Sequence, residues 1–356
     1  MEKDYRKWCI VTVSAAVGCL VLVAVLNVLI DPFFHYHKPL SWLSYRFGNQ
    51  NYVNAGIVKQ FEYDALITGT SMTENFRPSY FTEVLGVNAV KAPYSGGKTK
   101  NFSNLLAVAL MANPQLKTIY MGLDVNMLHE ENAAVPREPF PAYLYDDKLL
   151  NDVSYLLNKD TLLLNTGGFI LNTIAGKPSE TFDEYSFWED DNHIPGQNLE
   201  EFIADIGGHV SQQGSLAKER RLALANEHLE WNIVPLVEAY PQVDFVFFFP
   251  PYSIYYWYDK NMDDMIAVLE DTIKRLIAYD NVRLFFPLNH AETVTDIYNY
   301  YDIGHYRAAV NDYLVRCFAD GTFLLTEENY RAELEKLTEM VNWFDFLAAN
   351  GTRLNE

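Results

Sequence analysis

Three side chains in this chain are suited to acyl transfer: a serine at 71 and, far from it in sequence, an aspartate and histidine at 302 and 305. Ser71 closes the run ALITGTS, after a small-residue turn and ahead of a helical segment, where a hydroxyl is presented above the end of a strand. Asp302 and His305 stand as DIGH, and a three-residue spacing on a turn lets the carboxylate approach one imidazole nitrogen and leaves the other for a serine. In such a set the imidazole takes the serine proton and returns it to the leaving group. Each piece also has a plain structural reading. Ser71-x-x-Glu74 satisfies a helix capping box, and Asp302 has the residue type and place of an N-cap for a helix over Tyr306–Phe318.

Charge building on a carbonyl oxygen in the transition state needs fixed donors. APYSGGK contains Gly96 and Gly97, whose freedom allows close backbone approach. GLDVN offers the side-chain amide of Asn126, and SMTENF that of Asn75; fixing a turn is the alternative role of both. The aromatic run YSIYYWYDK, beginning at Tyr252, reads either as a platform for sugar rings or as packing under a lid. His35, His37, His193 and His209 are too scattered for a zinc pattern, so no metal and no cofactor are expected.

These residues need a scaffold, and the chain alternates short apolar runs with amphipathic stretches, as a parallel α/β sheet does. Ala65–Gly69, Asn88–Lys91, Thr118–Leu123, Val243–Pro250 and Val282–Pro287 read as strands, nearly continuous in apolar residues, as strands covered on both faces are. Crossover helices are expected over Asn101–Asn113, Leu216–Ala239 and Met262–Tyr279. Loops at the carboxyl ends of parallel strands are where such sheets bind ligands, and the residues singled out above lie there. Residues 128–214, acidic and turn-rich, read as an insertion into one large domain spanning 59–356, with a connector over 31–58.

Trp8–Ile30 is uncharged throughout and about as long as a helix crossing ~30 Å of hydrocarbon. Lys3, Arg6 and Lys7 precede it, which puts residues 1–7 in the cytoplasm and the rest outside. A cleaved signal peptide is the rival reading, but no A-x-A-like site follows, so an uncleaved anchor in the lipid bilayer is expected. The formal charge of −20, spread beyond residue 30, repels phosphate backbones and excludes nucleic acid as a partner. Aromatic residues make up 15% of the chain, enough to build a substantial core and to exclude general disorder. Of three cysteines, Cys9 and Cys19 fall in the apolar run and Cys317 is left alone, so no disulfide framework is implied.

Taken in order, the blocks ITGTS, YSGG, GLDVN and DIGH resemble those of SGNH (GDSL-like) esterases and acyltransferases over roughly residues 60–320. In that family an early serine turn, a glycine after the second strand, an amide donor after the third and a late D-x-x-H form the site. The first and last blocks match best; the third is GLDVN where the family has G-x-N-D. The resemblance implies a flavodoxin-like three-layer sandwich with a parallel central sheet. It also implies Ser71 as nucleophile, His305 as base, Asp302 as its orienter, and Gly96 and Asn126 at the oxyanion hole. Anchored members suggest acyl groups, often acetyl, on cell-surface glycans, sometimes with a multi-spanning membrane acyltransferase as partner. The competing expectation is a non-catalytic surface protein that binds glycan or scaffolds a membrane assembly on the same fold.

Overall fold

The computed structural model describes residues 2–190, 192–204, 217–258 and 260–344. His209 and the end of the expected 128–214 insertion lie outside the described residues. Five strands form one sheet: β1 (Ala65–Thr68), β2 (Ala89–Lys91), β3 (Thr118–Gly122), β4 (Asp244–Phe248) and β5 (Val282–Phe285). All pair in parallel in the order β2-β1-β3-β4-β5, and every expected strand is found, shorter by one to three residues. Every residue of β1, β2 and β3 is buried, which accounts for their nearly unbroken apolar runs.

The chain reverses direction across the sheet after β2, and with crossovers of the usual right hand the helix before the reversal and those after it fall on opposite faces. Pro78–Leu85, linking β1 to β2, packs with Ala308–Asp320. Thr99–Ala112, Lys218–Asn232 and Met262–Leu276 pack in a second row. The expected helix over 216–239 is two: Lys218–Asn232 ends at Ile233, and Pro235 opens Val234–Ala239 because proline, lacking an N–H, fits the first turn of a helix and breaks its interior.

Two compact units are present, one of Met1–Phe61 with Pro139–Thr181 and one of Glu62–Glu138 with Phe182–Glu356. This differs from the single domain with one insertion expected from sequence: the middle of 128–214 belongs with the N-terminal segment, and its flanks belong with the sheet. The expected connector is likewise structured, burying Phe33, Phe34, Leu43, Phe47 and Val53. Helix Gln50–Gln60 lies so close to the Phe33–Phe34 backbone that a Cβ on Gly56 would sit 1.9 Å from the Phe33 carbonyl oxygen, so only glycine fits.

The first unit begins with helix Glu2–Ile30, which among the described residues is the one helix long and apolar enough to cross a membrane. Its end is held by Asp31, a buried residue at φ 46°. The Asp31 carboxylate accepts the backbone N–H groups of His35 (3.0 Å), Tyr36 (2.7 Å) and His37 (2.9 Å) and the Tyr155 hydroxyl (2.7 Å). Asp152 accepts from the Tyr36 hydroxyl at 2.9 Å and meets His35 Nε2 at 3.4 Å.

Candidate active site

β1 delivers Ser71 through a tight turn. Gly69 has φ 143°, and a Cβ there would lie 2.6 Å from Thr73 Cγ2 and 3.1 Å from the Gly122 nitrogen, so a larger residue would push the turn off the sheet. A single 3-10 turn, Ser71–Thr73, follows, and its N-cap is Thr70, whose side chain accepts from Met72 N. The capping role is thus filled one residue earlier than the sequence allowed. The Ser71 hydroxyl lies 2.8 Å from His305 Nε2.

His305 sits in a short closed loop. Tyr300 and Tyr306 bridge antiparallel, and Tyr301 N–H donates to the His305 carbonyl at 2.8 Å. Asp302 Oδ1 accepts the N–H groups of Gly304 (2.8 Å) and His305 (2.7 Å), while Oδ2 meets His305 Nδ1 at 2.7 Å. Asp302 is therefore no helix cap; the next helix starts at Ala308 with Arg307 as its N-cap. With Nδ1–H donated to the carboxylate, Nε2 is left as the acceptor facing the serine hydroxyl. The hydrogen bond to Asp302 raises the His305 pKa above its ordinary value, against the opposing effect of burial. Burial works against the charge on Asp302, yet its hydrogen bonds from His305 and Gly304 hold its pKa below the usual carboxylate value.

The loop is tied to the serine turn from beneath. The Tyr306 hydroxyl and the Asn311 amide both donate to the Met72 carbonyl, at 2.9 and 3.2 Å. Ser253 donates through N–H and hydroxyl to the Ile303 carbonyl, at 3.2 and 2.8 Å. These bonds fix the relative placement of Ser71 and His305.

A pocket of about 360 Å³ opens over the three residues, lined also by Glu74, Ser95, Trp188, His193, Asn198 and Tyr301. Trp188 stands edge-on to His305, ring centroids 5.8 Å apart, and to Tyr301 at 5.2 Å. His193 stands beside both aromatic rings and pairs through Nδ1 with Asp190 at 2.7 Å. Sequence reasoning had His193 only as a scattered histidine and missed Trp188, Asn198 and Tyr301; SFWEDDNH, an aromatic and charged cluster inside the expected insertion, was the available signal.

Several expected site residues stand elsewhere. Asn126 is exposed and does not line the pocket, and its side-chain carbonyl accepts the Tyr256 hydroxyl at 2.7 Å. Two residues after Gly122, where the G-x-N order of the resembling family has its amide, the residue is Asp124. Asp124 is buried and accepts from Thr70, Tyr252 and Asn126 N, and burial raises its pKa despite those bonds. Tyr252 is 2% exposed with its hydroxyl on Asp124, a support under the site and no part of its wall. Tyr255, Tyr256 and Trp257 are buried with it, so of the two readings of this run it is packing, and not a sugar platform, that the structure has.

Asn75 is buried and holds the wall from behind, its Oδ1 accepting Trp188 N at 3.1 Å and Glu189 N at 3.4 Å. Gly97 is buried against Tyr94 and Phe102. Gly96, at φ 59°, passes its carbonyl to Arg137 at 2.6 Å, and its neighbour Ser95 is the residue of that loop that reaches the pocket.

Among the described residues no three His, Cys, Asp or Glu side chains are gathered as metal ligands would be. The arrangement can deprotonate a serine hydroxyl and hold the resulting imidazolium against a carboxylate, the chemistry of nucleophilic attack on an acyl carbon. No protein-family model matches the chain, and comparison with curated proteins returned no match.

Proposed function

We propose that this protein is a membrane-anchored, extracytoplasmic serine esterase or O-acyltransferase of the SGNH kind, acting on acyl esters, chiefly acetyl, of cell-surface glycans. The observation that carries the reading is the continuous relay of Ser71 Oγ to His305 Nε2 at 2.8 Å and His305 Nδ1 to Asp302 at 2.7 Å, opening on a pocket. The β2-β1-β3-β4-β5 order supports a flavodoxin-like three-layer sandwich, with the serine turn following the strand at which the chain order reverses.

In this mechanism Ser71 attacks the ester carbonyl as His305 takes its proton, and the imidazolium returns that proton to the departing alkoxide. The acyl-serine ester is then opened by water or by a sugar hydroxyl, activated by the same imidazole. The Ser71 N–H, which opens its turn and so has no acceptor within it, is assigned to the oxyanion. Nine residues line the pocket, with two carboxylates and no lysine or arginine among them, which favours neutral or cationic sugars over anionic ones. Trp188 and Tyr301 supply the aromatic surface for a sugar ring. The basic residues ahead of the anchor favour an orientation with the sheet domain outside the membrane, where a multi-spanning acyltransferase is the fitting donor partner.

A fluorophosphonate probe on the full-length protein tests this directly. Wild type should be labelled and Ser71→Ala should not, with unchanged circular dichroism; equal labelling of both would overturn the reading. The acidic residue at 124 favours one second reading, a glycan-binding protein without turnover. Saturable glycan binding that persists in Ser71→Ala, with no ester cleavage by wild type, would establish that instead.

A further inference from the structure

Within the first unit, the helices packed against the end of the N-terminal helix, and the turn before them, carry large apolar side chains that stand exposed among the described residues. Leu150 is 94% exposed, Leu164 70% and Ile174 78%, and Val153, Leu163 and Leu171 are exposed with them. The run Thr161–Ile174 contains no charged residue; its first turns are π-helical (Thr161–Thr166) and continue as Gly167–Ile174. Leu164, Leu171 and Ile174 recur at spacings of seven and three, which puts them on one face, with Gly167 and Gly168 between them. Contiguous exposure of this kind is uncommon on a water-facing surface and marks a surface that something covers.

The place of this face along the anchor identifies the covering phase. Val153–Leu156 and Thr161–Thr166 pack on the N-terminal helix, whose partly or fully covered residues begin at Val23. Asn27, otherwise an awkward polar residue in an apolar helix, is fully buried there. Its amide donates to the Leu156 carbonyl at 2.9 Å and its carbonyl accepts the Thr166 hydroxyl at 2.8 Å. If Trp8, the residue after Lys7, marks the cytoplasmic edge, Asn27 lies about 29 Å along the helix at ~1.5 Å per residue, close to the ~30 Å thickness of the hydrocarbon. The exposed leucines therefore meet the anchor where hydrocarbon gives way to headgroups.

Thr161–Ile174 is too short to cross, since spanning takes about 20 residues, but suits a helix lying in the interface with its apolar face ~5–10 Å into the acyl boundary. Its flanks agree: exposed Lys159 and Lys177 stand at either end, as lysines do when their stems follow apolar surface to the headgroups. Trp42, 62% exposed, is held near the same end because Ser44 bonds Thr173 Oγ1 at 2.9 Å and the Lys177 carbonyl at 2.5 Å. Exposed tryptophan is typical of the membrane interface.

We infer that the 149–174 segment is a second, monotopic membrane contact: its leucine face lies in the outer leaflet beside the anchor, seating the first unit on the lipid surface. This rests on the N-terminal helix being a span, and the two ideas separate experimentally. The protein carrying Cys9→Ser, Cys19→Ser and Cys317→Ala is spin-labelled singly at Leu164→Cys, Leu171→Cys, Val17→Cys in the span or Met111→Cys on the exposed surface of the second unit. It is then reconstituted in phosphatidylcholine and phosphatidylglycerol vesicles, and collisions with oxygen and with a water-soluble nickel chelate are compared by electron paramagnetic resonance.

Labels at 164 and 171 should collide readily with oxygen and at least about fivefold less with nickel than the label at 111, as a helix face inside the acyl boundary requires. Nickel access at 164 and 171 equal to that at 111, with 17 shielded, would overturn the interfacial contact and leave the anchor standing. Nickel access at 17 would overturn the anchor, and this inference with it. Shielding of 164 and 171 from both reagents would overturn lipid as the occupant and identify a protein surface instead.

Discussion

Each of the two units holds an aspartate–histidine contact, and they are built to opposite ends. In the first unit His35 and Asp152 are almost sealed from solvent, their side chains 8% and 3% exposed, at 3.4 Å. Burial, together with the Lys59 charge, lowers the His35 pKa despite the nearby carboxylates. In the second unit His305 and Asp302 are 38% and 46% exposed at 2.7 Å, and the hydrogen bond raises the His305 pKa. His305 has a hydroxyl on its far nitrogen and a pocket in front of it; His35 has neither a nucleophile nor an opening among the contacts described. An Asp–His pair thus acquires chemistry from what lies beyond the imidazole, and without that it serves as packing.

The largest contrast should appear when the carboxylate of each pair becomes an amide. Asp302→Asn removes the group that fixes the His305 tautomer and stabilises its cation, and should slow phosphonate labelling by up to about 10⁴-fold with the melting temperature little changed. Asp152→Asn should leave the labelling rate unchanged and lower the melting temperature. Equal loss of labelling in the two variants would erase the distinction between them.

Stability separates the units the other way. Asp31 satisfies three backbone N–H groups and the Tyr155 hydroxyl, so Asp31→Ala strands several partly buried donors at once. At roughly 1–3 kcal/mol for each buried donor left unsatisfied, unfolding of the first unit in detergent should become easier by about 3 kcal/mol or more. Labelling of Ser71 in the folded fraction should survive. A variant as stable as wild type would mean that water replaces the carboxylate without cost.

The sequence exposed the sheet and the relay more readily than the walls around them, for a physical reason. Parallel strands covered on both faces are apolar at nearly every position, so FVFF in β4 and ALIT in β1 are visible without partners. Ser71 and the Asp302–His305 pair each depend on local turns, which short motifs specify. Trp188 reaches the pocket because its N–H is held by Asn75, 113 residues away, and no local pattern encodes such a contact. Residues 139–181 were unreadable for the same reason, since their apolar face is interpretable only beside Asn27.

pH sharpens the comparison through opposite signs. Labelling requires neutral His305, whose pKa lies above 6.5, so the rate should climb with pH through a midpoint above that value. Asp302→Asn should move the midpoint downward. For stability, the raised His305 pKa gives a contribution fully present below pH 6.5 and lost as pH rises through its folded value. His35, with its pKa lowered, gives the reverse: its contribution is intact above pH 6.5 and lost as pH falls from there through its folded value. A His35→Gln variant should therefore be less sensitive to mild acid than wild type, measured by melting temperature between pH 7 and 5. An unchanged acid response would remove His35 from the account.

The smallest effect concerns Asn126, and it discriminates between the block order and the geometry. A side chain that donates to an oxyanion is worth about 10²–10³-fold in rate. Asn126 is exposed, lies off the pocket and has its carbonyl taken by Tyr256, so Asn126→Ala should change labelling by no more than about threefold. Retention of the rate would leave stabilisation of the oxyanion to backbone N–H groups, because buried Asp124 has its oxygens engaged by Thr70, Tyr252 and the Asn126 N–H. A loss of two orders of magnitude would instead mean that the 125–128 turn rotates to bring the amide inward when substrate binds, and the rigidity assigned to the second unit would then belong to the serine and histidine loops alone.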